Sequence, residues 1–209
     1  MRFGIRTLDE VNVQGKTVLC RIDINQPVDR ATGTLKSISR IRACVPTLRE
    51  LSDKGAKLVL LAHQGSDIEY QNYYTTEPHS KVLTQLLGQE VKFIPDVCGP
   101  AAQEAIRSLQ NGEILLLDNV RFMAEEQTLF EMKLQLTHEQ QSETLLVRKL
   151  APLADLYVCD AFAAAVLPCL EAGVTIFGGC CGTGPAYIAE LKAALEEKSP
   201  VEREKANKD

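Results

Sequence analysis

The sequence predicts one doubly wound α/β domain with a mainly parallel sheet of about six strands, and three observations carry that expectation. Short apolar runs recur along the chain, amphipathic stretches of helical period separate them, and the runs are apolar throughout rather than alternating. A strand covered by helices on both faces must be apolar on both, whereas a strand with one wet face alternates. Leu58-Val59-Leu60-Leu61-Ala62 and Ile114-Leu115-Leu116-Leu117 are of the first kind. At 209 residues, a single core able to bury roughly 70% of the unfolded surface is within reach.

Strands are expected at 17–24, 57–62, 91–94, 113–118, 155–160 and 174–177, each short and rich in β-branched residues or leucine. Between the first two, Ile41, Val45, Leu48 and Leu51 recur at steps of three and four, and Lys54-Gly55 supplies a stop, so the spacing predicts a helix. The same stripe returns at Val82, Leu83, Leu86 and Leu87 before Gly88, and at Ala102, Ala105, Ile106 and Leu109 before Gly112. Leu145, Leu146 and Leu150 form another, and Ile188, Leu191 and Leu195 a last one. The domain is expected to span 1–195, with 166–195 as a divergent final βα unit and the charged residues 196–209 as a flexible tail. Two polar stretches, 64–78 and 125–143, read as loops.

Composition narrows the function. A net charge of −5 argues against a nucleic-acid binder, which needs a dense basic face to displace counterions from phosphates. No apolar run approaches the length that spans a bilayer, and Met1 to Arg6 lacks the apolar core of a signal peptide, so a cytoplasmic protein is expected. The seven cysteines are an odd number and sit mostly in apolar patterns, which suits reduced thiols.

Ligands of open α/β sheets bind beyond the carboxyl ends of the strands, so the residues that follow each apolar run are the candidates. The first run delivers Arg21, Asp23 and Asn25; the second ends at His63; the fourth at Asp118, Asn119 and Arg121; the fifth at Asp160. With Arg40 at the start of the first helix, Arg21 and Arg121 make a cationic cluster suited to a small phosphate or carboxylate. His79 and His138 read as ordinary surface histidines without a role.

Five segments then carry a resemblance. Arg21-Ile22-Asp23-Ile24-Asn25-Gln26-Pro27-Val28-Asp29, Ser39-Arg40-Ile41-Arg42, Ala62-His63-Gln64-Gly65, Leu117-Asp118-Asn119-Val120-Arg121-Phe122 and Asp160-Ala161-Phe162-Ala163-Ala164-Ala165 resemble the N-terminal domain of phosphoglycerate kinase, in its archaeal form, over about residues 1–165. The resemblance implies that Asp23 and Asn25 hold the glycerate of 3-phosphoglycerate. It implies that Arg21, Arg40, His63 and Arg121 hold its phosphate and carboxylate, and that Arg40 is also catalytic, steadying the transferred phosphoryl group. ATP and magnesium are implied by the family alone and belong to a second domain, so a separate nucleotide-binding chain or self-association into a homo-oligomer is an expected partnership.

The sequence also departs from that family. Ser66 and Val166-Leu167 stand where basic family residues are expected. Losing two charge-assisted contacts of about 1.5–3 kcal/mol each would weaken anion affinity roughly 10²- to 10⁴-fold. Beyond residue 165, Gly173-Val174-Thr175-Ile176-Phe177-Gly178-Gly179-Cys180-Cys181-Gly182-Thr183-Gly184-Pro185 is similar to the last strand and zinc motif of homocysteine methyltransferases. That likeness implies zinc on Cys180 and Cys181, with Cys159 as a third thiolate, and a metal-binding or methyl-transfer accessory role. The other reading of the cysteine pair is two thiols in a buried glycine turn. A non-enzymatic remnant of the kinase fold is a further alternative.

Overall fold

The structure, a computed structural model, describes residues 8–29, 31–65, 73–126 and 136–161. Five strands form one wholly parallel sheet: β1 (Thr17–Ile22), β2 (Lys57–Leu61), β3 (Val91–Ile94), β4 (Ile114–Leu117) and β5 (Leu156–Asp160), in the order β3-β4-β2-β1-β5. The helices are α1 (Ser39–Asp53), α2 (Glu77–Leu87), α3 (Pro100–Ser108) and two short ones, α4 (His138–Ser142) and α5 (Leu145–Leu150). The strand expected at 174–177, its helix and the charged tail lie outside the described residues. Within the expected loops, the amino end of α2 closes the first, and α4 interrupts the second behind a capping box of Thr137 and Gln140.

Successive residues of a strand face opposite sides, and here both sides are core. On one face Val18, Cys20, Ile22, Leu58, Leu60 and Leu116 meet Ile41, Leu48, Leu51, Leu83 and Leu87 of α1 and α2. On the other, Leu19, Val59, Leu61, Leu115 and Leu117 meet Ala102 and Ile106 of α3 and Leu150 of α5. β1 stops at Ile22 rather than running to residue 24 because its neighbours run out. Arg21 is paired with Leu61, the last residue of β2, and Ile22 with Asp160, the last of β5. α2 ends at Gly88, whose φ of 72 turns the chain sharply at the position glycine tolerates best.

This topology fixes where a ligand can sit. The chain runs outward from β1 to β3 with α1 and α2 on one face, then returns through β4 to β5 with α3 and α5 on the other. β2 and β4 are neighbours, yet the chain leaves their carboxyl ends toward opposite faces. Residues 62–65 and 118–121, the loops at this topological switch point of the sheet, are joined side by side, with the Val120 N–H on the Ala62 carbonyl at 3.0 Å and the Gln64 N–H on Asn119 Oδ1 at 3.2 Å.

Candidate functional site

Period-two alternation puts Leu19 and Arg21 in one row on β1 and Val59 and Leu61 in one row on β2, and Asp23 and His63 follow two residues beyond Arg21 and Leu61 where the chain leaves the strands. Arg21 lies in register with Leu61, so Asp23 and His63 leave the sheet from neighbouring strands at the same level. His63 is the hub. Its imidazole is held down to a pKa of about 3, first by burial and then by the positive charges of Arg21, Arg121 and Arg40, with Asp23 opposing them. Arg21, Asp23, Arg40 and Arg121, four of the six residues expected to bind a ligand, thus lie near enough to His63, the fifth, to act on its charge. Asn25, the sixth, joins through its Oδ1, which accepts the Gly65 N–H at 3.0 Å.

The three arginines are held from within. Arg40, in the first turn of α1, donates Nη1–H to Asp23 Oδ2 at 2.8 Å. Arg121 donates Nη1–H to the Gly65 carbonyl at 2.6 Å. Arg21 donates Nη2–H to Glu126 Oε1 at 2.5 Å in a largely buried ion pair, with side chains 17% and 8% exposed. His63 Nδ1 is buried without a hydrogen-bond partner.

A second set of residues, whose roles sequence reasoning missed, builds the frame. Asn119 is fully buried; its Nδ2 donates to the Gln64 and Tyr74 carbonyls at 2.7 and 2.9 Å, and its Oδ1 accepts the N–H groups of Gln64 and Arg121. Gln64 in turn clamps Gln26 on both sides, donating Nε2–H to its carbonyl at 2.7 Å and accepting its N–H on Oε1 at 3.0 Å. Those two bonds fix the amide orientation, so His79 Nε2, 2.9 Å from Gln64 Oε1, must carry the proton. His79 is thus not a surface histidine: it is 1% exposed, and burial lowers its pKa to about 4. The missed signal was spacing, because His79, Leu83 and Leu87 fall at steps of four on the buried stripe of α2.

Asp160 closes the far side of β1. Burial raises its pKa to about 7 against the opposing hydrogen bond from Thr47 Oγ1, and its Oδ2 is buried without a partner. Cys159, in register with Arg21, is a buried thiol 3.9 Å from the Ala161 carbonyl. Among the described residues no three His, Cys, Asp or Glu side chains gather closely enough to hold a metal ion. Cys180, Cys181, Ser66, Val166 and Leu167 lie outside the described residues.

The family model described as phosphoglycerate kinase matches residues 8–169, which contain every residue around His63. The chain belongs to the phosphoglycerate kinase family. It is 47% identical over 163 residues to the phosphoglycerate kinase of Methanothermobacter thermautotrophicus, covering 78% of this chain and 38% of that protein. It is 46% identical to the phosphoglycerate kinase of Sulfurisphaera tokodaii, with the same coverage. In structure it is similar to a phosphoglycerate kinase from Pyrococcus horikoshii, with a TM-score of 0.73 at 33% identity over 94% of this chain and 47% of that one. The chain thus spans less than two fifths of the length of these curated relatives. Phosphoglycerate kinase relationship accounts for the five motifs together; the likeness of residues 173–195 to a zinc motif finds no support in these comparisons.

Proposed function

We propose that this chain is the acidic-substrate half of a phosphoglycerate kinase: it binds 3-phosphoglycerate at the carboxyl ends of β1, β2 and β4, in the cytoplasm. Phosphoryl transfer then requires ATP and magnesium delivered by a nucleotide-binding unit outside residues 8–161. One observation carries the reading: a part-buried imidazole, its Nδ1 buried and unpartnered, feels the charges of Arg21, Arg40, Arg121 and Asp23. Its depressed pKa keeps His63 neutral at pH 7, so it meets a ligand as a hydrogen-bonding group while the arginines supply the charge. Asp23 and Asn25 suit the hydroxyl of a glycerate, the arginines and His63 its carboxylate and phosphate, and Arg40 is placed by the same reading on the oxygen that receives the phosphoryl group. Such transfer depends on positioning and charge neutralisation, which this set of residues is equipped to provide.

Calorimetric titration of the full chain with 3-phosphoglycerate tests the proposal. Saturable 1:1 binding is expected, weakened about 10- to 150-fold by Arg40→Ala or Arg121→Ala, the range one charge-assisted contact supplies. The absence of both heat and thermal stabilisation at millimolar ligand would refute it.

A further inference from the structure

Glu125 and Glu126 are adjacent in sequence and do unrelated work. The Glu125 carboxylate caps the amino end of α5, accepting the N–H groups of Leu145 and Leu146 at 2.8 and 3.2 Å. Glu126 turns the other way and reaches across 105 residues of sequence to Arg21, inside the arginine cluster. Its side chain is less exposed than that of Arg21, so the carboxylate lies within the protein rather than over its surface. Arg21 is also near His63: it is in register with Leu61, two residues before His63, and its charge acts on that imidazole.

We propose that Glu126 is a built-in competitor anion which sets how tightly, and for how much ligand charge, the pocket binds. This inference rests on the anion-site reading above. With Glu126 on Arg21 and Asp23 on Arg40, two of the three guanidiniums around His63 face an internal carboxylate. An incoming phosphate or carboxylate must share Arg21 with Glu126 or displace it, and its own charge is repelled by a fixed negative group in a buried setting, where screening by salt is weak. The penalty grows with ligand charge. Glu126 therefore acts on specificity through Arg21: it penalises a multiply charged phosphoglycerate more than a singly charged glycerate, and keeps the empty cluster from holding any anion indiscriminately.

Binding of 3-phosphoglycerate, glycerate and inorganic phosphate to the full chain and to Glu126→Gln, which keeps the hydrogen bond and removes the charge, tests this. An affinity gain of about tenfold for 3-phosphoglycerate is expected, with a smaller gain for glycerate; a merely structural role for Glu126 would give no such dependence on ligand charge. Should the Gln variant not fold, Arg21→Gln serves instead: it leaves the carboxylate unopposed and is expected to weaken 3-phosphoglycerate at least tenfold and glycerate less. Equal or weaker binding by Glu126→Gln, or unchanged binding by Arg21→Gln, overturns the proposal. If neither parent nor variant binds 3-phosphoglycerate but Glu126→Gln gains affinity for inorganic phosphate, the substrate reading fails while the competitor role stands; no gain for either anion overturns the competitor role.

Discussion

The two ends of the sheet are tied together by different chemistry. At the amino end the loops are joined mainly backbone to backbone: Gly15 N–H to the Gly55 carbonyl, Lys57 N–H to Lys16, Gly112 N–H to Ala56 and Asp155 N–H to Thr17, all at 2.9 Å. At the carboxyl end the joins are mainly side chains, with Asn119, Gln64 and Asn25 each bridging to the backbone of a neighbouring loop. Backbone pairing is available to almost any sequence, so it holds loops while leaving their side chains unconstrained. Side-chain bridging demands particular residues at particular positions. The carboxyl end thus commits its sequence to geometry, which a pocket that must aim several charged groups at one ligand requires.

Removing a bridge at the carboxyl end should have the largest effect. Asn119→Ala strands four backbone groups, two buried and two part-buried, and is expected to cost about 3–5 kcal/mol in urea unfolding, with loss of anion binding. The buried histidines come next. His79 and His63 titrate lower in the folded chain, at about 4 and about 3, than their ordinary value of 6.5, so the folded state binds fewer protons below that pH. Their stabilisation is complete above pH 6.5 and is lost as pH falls toward these values, by about 3 kcal/mol for each histidine between pH 7 and pH 4. Unfolding midpoints across that range should show it, and His79→Gln should flatten the slope.

Asp160 sharpens the contrast from the opposite direction. Its pKa is raised from 3.8 to about 7, so its contribution is intact below pH 3.8 and lost as pH rises through 7. Asp160→Asn is expected to stabilise the chain by about 3–4 kcal/mol at pH 8 and by nothing near pH 3.5, as thermal melts at the two pH values would register. The smallest effect belongs to the amino end, where Gln14→Ala, at an exposed position, should change stability by less than about 0.5 kcal/mol. A cost there comparable to that of Asn119→Ala would erase the distinction between the two ends.

Much of this molecule was legible before any coordinates. The continuous apolarity of 58–62 and 114–117 led to a parallel sheet with two covered faces, and strand ends led to Arg21, Asp23, His63 and Arg121. What stayed hidden was pairing over distance. Nothing near Glu126 in sequence distinguishes it from Glu125, and only the fold brings it to Arg21. Gln64 and Gln26 form their clamp 38 residues apart. His79 was readable in principle, since the α2 stripe extended back by one turn reaches it, but a polar residue at the head of a helix reads more naturally as solvated. The end of β1 was misplaced for a related reason: its length is set by where β2 and β5 stop, not by its own apolar run.

The most direct test follows backbone amide resonances of the full chain as 3-phosphoglycerate is added. Saturable shifts should appear at Asn25, Gly65 and Asn119, with those of Gly15, Gly55 and Gly112 unmoved. Shifts spread equally over both ends of the sheet, or none at the carboxyl end at saturating ligand, would contradict a single anion pocket centred on His63.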